Sequence, residues 1–593
     1  INAKNLEGDT ALHRATRWKN LSLINILLKQ GASRTVINQQ GNTPLHEASQ
    51  AIDDNDARAI LTSLLDGSAT DSGLNIKNTN GDTPLLIALD HPNELNLRLF
   101  LEAGAKVNLT NNEGLTALHK LINSSETIPN AVDLLITQGA EINQQDYSGK
   151  TPLFYALEHY QDDTSDEEAN KNTNLEQLLA HQPEINLAAK DGTTPLHLAV
   201  KLGKITAIKR LLDLGAKVQT ADKQGNTPLH YAAALPEGSD IIKLLHTKGA
   251  ELNALNNEGN SPIFLSANTA NFQALQELGA DLKIVNKNNE SVIAVFTSRE
   301  DKTTSLELIK KAQSFGVDIN VTDSYLQNAL HRSIRFNSPT LSLELVKAKI
   351  NLNQADSEGN TPLMLAVRNR SLYHVKLLIE QGANVNLANR FGKTALQQSI
   401  ELGEEELFNL LLAAKAEINT KDTDQRSPLL TALANNKADL AAKLIALGAD
   451  VNIRSKGEWT TLHYAAQLGN PDLVKVLLDA GAVNGIKNWG NEIPANLAKD
   501  KAEILVLLNA KPYTASYFQT TDKFSNTLLH WAVREQNLAA IQTLLPTTTD
   551  INTPNSYGET ALMLALKSIR HNPELATAST RQLLEAGADV NAV

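Results

Sequence analysis

The sequence predicts an all-α solenoid: a stack of short helix–turn–helix units, each closed by a hairpin loop, in place of several independent domains. Three observations predict it. The phrase GTTPLHL at residues 192–198 returns as GNTPLHY at 225–231, and variants of it recur from one end of the chain to the other. Taking the Gly or its equivalent as the start, copies begin at 8, 41, 81, 114, 149, 192, 225, 259, 289, 326, 359, 392, 425, 458, 490, 525 and 558, seventeen in all. The four consecutive intervals from 326 to 458 each equal 33 residues, enough for one supersecondary unit and too few for a domain. The helix start and stop signals also recur in the same order in copy after copy. A chain of 593 residues would ordinarily divide into about four domains, but a sustained period overrules that expectation and predicts one continuous array over residues 1–593.

Residues 225–253, GNTPLHYAAALPEGSDIIKLLHTKGAELN, justify each element in turn. Thr227 is a helix N-cap, and Pro228 follows at the first helical position, where its missing N–H costs nothing. Leu229, Ala232 and Ala233 recur at helical spacing on a slim face that permits close packing, and PEGSD then breaks the helix. A second helix carries Ile241, Ile242, Leu244 and Leu245. Gly249 caps it in the left-handed conformation, and the chain then runs extended before turning back to the next phrase.

Residues in this order resemble ankyrin repeats. GDTALH at 8, GNTPLH at 41, GLTALH at 114, GTTPLH at 192 and GNTPLH at 225 carry the resemblance, as do QGANVN at 381–386 and LGADVN at 447–452, and it covers essentially the whole chain. NESVIA at 289–294 and GNEIPA at 490–495 keep little of the phrase, leaving their register open by a residue or more. The resemblance implies a curved superhelical rod, with first helices and loop tips lining a concave face suited to gripping another macromolecule.

Eight of the fourteen histidines, His13, His46, His119, His197, His230, His331, His463 and His530, share one phrase position. A catalytic base is needed once, so the repetition predicts a structural role, and the resemblance implies imidazole hydrogen bonds within and between adjacent turns. Other strings fail on spacing. GKT at 149–151 and 392–394 lacks the upstream glycine of a phosphate loop, where Gln144 and Leu387 stand. His46-Glu47 lacks the second histidine of a zinc protease, the position being Gln50. DDTSDEE at 162–168 has no glycine for the sharp turn of a calcium loop and is expected to be a solvated acidic insertion. With no cysteine in the chain, disulfides, thiolate metal sites and a cysteine nucleophile are excluded. No catalytic residue, metal site or cofactor is expected.

The net charge of −12 argues against a nonspecific nucleic-acid role, and no apolar run approaches the length of a membrane span. A protein partner is therefore expected. The residue just before each phrase, at the hairpin tip, points to where it binds. In the first nine copies it is polar throughout; in the last eight it includes Tyr325, Phe391, Trp489, Phe524 and Tyr557, although aromatics are 4% of the chain. If Pro494 sets the register of its copy, Trp489 lies two places before the phrase instead. These rings either anchor a partner or pack on the neighbouring hairpin. Residues 511–524 add Tyr513, Tyr517 and Phe518 where the usual Gly-Ala-x-Val-Asn is missing, as a specialised finger or as a seam in the array near 509–524.

The expected function is a noncatalytic protein-binding scaffold. The alternative is the targeting arm of a larger effector, toxin or enzyme, since both ends read as cut within a repeat. Few oxidisable residues, Asn-rich loops and divergent copies resemble ankyrin proteins exported by bacteria, which implies a periplasmic, secreted or host-delivered location.

Overall fold

Capping chemistry at one repeated position starts each unit. In the computed structural model, which describes residues 1–50, 55–66, 73–124, 128–161, 173–498, 501–510, 525–534, 536, 538–548, 550–570 and 572–591, a Thr, Ser or Asn stands at the N-cap of nearly every first helix. Thr43, Thr194, Ser291, Asn328 and Thr361 are examples, each accepting a hydrogen bond from the backbone N–H three residues on. The extended φ/ψ of the cap and the proline or alanine that follows launch the helix in a fixed direction. First helices are short, such as Pro195–Lys201 and Pro228–Ala234. Second helices, such as Ile205–Asp213 and Ser239–Thr247, are longer and end at a left-handed glycine such as Gly215 or Gly249. Among the described residues the regular structure is helical, with two isolated antiparallel bridges, Ala388 to Thr394 and Arg454 to Thr460, at hairpin arms.

The residues form two compact units, Ile1–Asp318 and Ile319–Val593. Within each, a first helix packs on the second helix of its own copy and on the first helices of adjoining copies. Leu229, Ala232, Ala233, Ile242 and Leu245 are fully buried, as the spacing predicts, while Leu244 is only partly so. A buried Leu or Ile contributes about 1.5–3 kcal/mol, so each copy is held chiefly by its neighbours.

Most of the hairpins are set by an Asn or Asp three residues before the phrase, Ala189 and Ser455 being exceptions. Asn389 is typical: its Oδ1 accepts the N–H groups of Phe391 and Lys393, both at 3.0 Å, while its Nδ2 donates to Asn360 Oδ1 in the preceding copy at 2.9 Å. Asn78 to Asn42 and Asn555 to Asn526 repeat the cross-copy bond. A second asparagine row, at the end of the Gly-Ala-x-Val-Asn stretch, accepts a backbone N–H from the next copy: Asn353 from Asn384 and Asn386 from Glu417, each at 2.8 Å. The Asn-rich loops are thus explained as two hydrogen-bonded ladders, a role the sequence reading did not assign.

At the phrase start the chain turns through positive φ, and a Cβ on Gly41 would come within 2.8 Å of Thr79 N. Asn289, Leu326, Gln425, Glu458 and Ser525 hold the same left-handed conformation without being glycine, and they confirm the register of their copies. One copy is corrected. Asn491 at φ 60°, not Gly490, occupies the turn before Pro494, so that copy starts at 491 and Trp489 lies two places before it. Copy eight also departs: its first helix shrinks to a 3-10 turn, Pro262–Leu265.

Candidate protein-interaction surface

The phrase histidines are buried and fully engaged. His197 is representative: the N–H and hydroxyl of Thr194 lie 3.2 and 2.8 Å from its Nδ1, and its Nε2–H donates to Asn226 O in the next copy at 3.1 Å. His13, His46, His119, His230, His463 and His530 repeat both links. At His331 the cap is Asn328, whose Oδ1 accepts from Nδ1–H at 2.9 Å, so this ring meets oxygen acceptors on both sides, with Asn360 O 3.3 Å from Nε2. Gln397 reproduces the arrangement without a ring, accepting Thr394 N–H through Oε1 at 3.1 Å and donating from Nε2 to Arg426 O at 2.9 Å. Burial holds His13, His119, His197, His230, His331 and His463 below the ordinary imidazole range and pushes His46 down to about 4. The threonine-capped rings, which take a backbone N–H at Nδ1 and donate from Nε2, are neutral cross-braces.

The two GKT strings are hairpin tips. Lys150 pairs with Glu158 at 2.7 Å and Lys393 with Glu401 at 2.6 Å, while Thr151 and Thr394 are N-caps. Glu47 is bound by Arg17 at 3.1 Å. Neither arrangement leaves a phosphate cradle or a zinc pair. The acidic string 162–168 lies outside the described residues.

The tips are where the chain presents rings. Tyr325, Phe391 and Tyr557 are 64%, 56% and 68% exposed, and their backbone N–H groups are fixed by Asp323, Asn389 and Asn555. Trp489 is 71% exposed from its corrected position, where its N–H donates to Gly457 O at 3.1 Å. That position matches Tyr147, 62% exposed, whose N–H donates to Glu113 O. Tyr147 stands one place further from the phrase than Tyr325, Phe391 and Tyr557, outside the spacing that marks them in the sequence. Phe524, Tyr513, Tyr517 and Phe518 lie outside the described residues, as does most of the 509–524 stretch. In unit 319–593 Trp459, whose carbonyl accepts Ser455 N–H within the hairpin, packs against Tyr464 of the following helix with ring centroids 5.0 Å apart.

Tip and first helix form one surface, because side chains on the helix reach back to the hairpin. Arg332 binds Asp323 at 2.9 Å, Arg335 donates to Gln327 Oε1 at 2.8 Å, and Arg368 stands 3.9 Å from Glu358. In unit 1–318 Tyr155 and Tyr231 make the equivalent bond to Asp146 and Asp222. Burial and its carboxylate partner push Tyr231 up to about 12, so its hydroxyl stays protonated. No helix among the described residues is long and apolar enough to cross a membrane.

Among the described residues, capped helix pairs repeated in register with projecting hairpin tips define a helical repeat protein. Stretches 1–71, 50–146, 97–165, 167–256, 297–389, 340–422, 396–488 and 496–593 match the family described as ankyrin repeats (3 copies), and the chain belongs to that family. Residues 257–296, unmatched, contain the shortened copy eight. The chain is 32% identical over 157 residues to the nuclear factor NF-kappa-B p105 subunit of Gallus gallus, covering 26% of this chain and 16% of that protein. It is 29% identical over 213 residues to the B-cell lymphoma 3 protein homolog of Mus musculus, covering 34% and 43%. With the neurogenic locus notch homolog protein 1 of Homo sapiens it shares 32% over 151 residues, covering 25% and 6%. The matches therefore span less than half the length of these relatives. All three are from vertebrates, and they lend no support to the expected resemblance to bacterial effectors.

Proposed function

We propose that the chain is a noncatalytic scaffold that takes a protein partner on the hairpin tips and adjoining first helices of residues 319–593. The observation that carries this is the exposure of Tyr325, Phe391, Trp489 and Tyr557, each more than half open to solvent on a backbone held by hydrogen bonds. Rings held this way lose little conformational entropy on binding and make efficient anchors. The test places a photo-crosslinking residue at 325 or 391, or at the polar tips Gln40 and Gln224, in the full chain within its source cells. Discrete adducts from 325 and 391 alone support the reading, with Phe391→Ala lowering adduct yield from position 325 at an unchanged melting temperature. Equal labelling from Gln40 and Gln224 overturns it, as does a melting temperature that falls with each ring removed.

A second reading, in which the array is the recognition arm of a larger protein, is favoured by the small share of each relative that the matches occupy. Immunodetection with an antibody to residues 319–593 tests it: a species larger than 593 residues can account for supports the arm, and one of matching size opposes it.

A further inference from the structure

We propose that the face built by the first three copies of residues 319–593 binds an acidic segment carrying aromatic or large apolar side chains, a reading that rests on the tip surface proposed above and names its partner chemistry. Arg335 and Arg368 stand 33 residues apart at the same place, the C-terminal end of the first helix in consecutive copies, and both are exposed. Neither is consumed by a buried carboxylate. Arg335 donates to the neutral amide of Gln327, and Arg368 faces Glu358 at 3.9 Å with the two side chains 59% and 61% exposed. Arg332, one turn earlier, is different: it holds Asp323, whose carboxylate is 1% exposed.

The tips beside these guanidiniums are held in register. Ser357 N–H donates to Tyr325 O at 2.7 Å and Arg390 N–H to Glu358 O at 2.9 Å, so Tyr325, Glu358 and Phe391 are successive teeth of one row. The reach of Arg335 to Gln327 and of Arg368 towards Glu358 brings the guanidiniums alongside that row. Exposed Arg390 adds positive charge beside Phe391. Copies pack about 8–10 Å apart, and an extended polyproline-II segment advances about 3.1 Å per residue and returns every third side chain to the same face. Two guanidiniums at that separation therefore match carboxylates three residues apart, with intervening side chains free to meet the rings. Each guanidinium fork can take a carboxylate bidentately. The whole chain carries −12, so attraction for an anionic segment must come from this local face and not from the molecule at large.

The full chain is titrated by fluorescence anisotropy against a labelled random Glu–Tyr copolymer, with poly-Glu, a Lys–Tyr copolymer and oligo-dT as parallel probes. The expected result is that the Glu–Tyr copolymer binds most tightly and that raising the salt weakens it. Arg335→Glu/Arg368→Glu and Tyr325→Ala/Phe391→Ala should each weaken it about tenfold or more. Lys209→Glu/Lys217→Glu, an equal charge change at two exposed positions of residues 1–318, should leave binding and melting temperature as in the parent. Circular-dichroism melts verify that the other variants remain folded. If the ring variant weakens both copolymers alike and the Arg variant weakens neither, the acidic specificity is overturned while the tip surface stands. If the Arg variant alone has an effect, the aromatic anchors are overturned and both readings fall. Tighter binding of oligo-dT that the Arg variant abolishes would reassign the face to nucleic acid and overturn the proposal.

Discussion

His197 makes its bonds only as a neutral ring: Nδ1 takes hydrogen bonds from Thr194, and Nε2–H reaches the carbonyl of Asn226. Replacing it by Ala strands a buried N–H and a carbonyl and should cost about 1–2 kcal/mol in denaturant unfolding. Replacing it by Gln should cost much less, because Gln397 already makes the same two bonds. Equal losses for the two variants would show that ring packing, and not hydrogen bonding, is the larger effect. The same chemistry fixes the pH response. His13, His46, His119, His197, His230, His331 and His463 have folded pKa values depressed below the unfolded 6.5, so their contribution is complete above that pH. It is lost as pH falls from there towards the folded values, about 4 for His46, because the unfolded chain takes up protons first. For His46 the loss approaches about 1.4 kcal/mol per pH unit within that window. Stability measured between pH 7 and 5 should therefore fall steeply, and His46→Gln should flatten the slope; an unchanged slope would remove histidine as the cause.

At the scale of the hairpin, one asparagine does two jobs, and the sequence disclosed only one element of them. The phrase, its N-cap and its proline were legible because capping is local and leaves a fixed spacing. The asparagine ladders were not, since Asn389 and Asn360 become neighbours only after the copies stack. The copy at 490 misled for a related reason: Gly490 looked like the turn residue, yet Asn491 takes the left-handed φ, and Pro494 was the better guide. The tip row was legible at Tyr325, Phe391 and Tyr557, whereas Tyr147, one place further from the phrase, was not. Because Asn389 both closes its own turn and ties it to the copy before, Asn389→Ala should cost about 1–3 kcal/mol. Asn389→Asp should cost less, since Asp356 and Asp422 close equivalent turns through Oδ1. Denaturant titrations of the two variants check this, and an Asp variant as unstable as the Ala variant would mean that the ladder bond outweighs the turn.

Across the molecule, a chain with no cysteine draws its stability from nearest-neighbour packing, so the weakest junction governs how it comes apart. In residues 1–318 the candidate junction is copy eight. Its first helix is only Pro262–Leu265, which leaves carbonyls that a longer helix would satisfy. Arg299 from the next copy supplies the donors, to Ser266 O at 2.6 Å and Phe264 O at 2.8 Å, with its guanidinium 4.6 Å from the Phe296 ring centroid. Burial pushes its pKa below the ordinary arginine value, yet an arginine so far above neutrality remains charged. Arg299→Ala should therefore remove charge-assisted bonds and leave two carbonyls short of donors, a loss of about 2–4 kcal/mol. Since each copy contacts only its neighbours, the loss should stay local: hydrogen exchange should quicken over residues 257–300 while residues 8–123 keep their protection. Denaturant unfolding should split into two transitions or broaden. Arg299→Lys, with one charged group for two acceptors, should fall between. Uniform loss of protection across residues 1–318 would instead show that this unit unfolds as one cooperative body and that copy eight is no weaker than the rest.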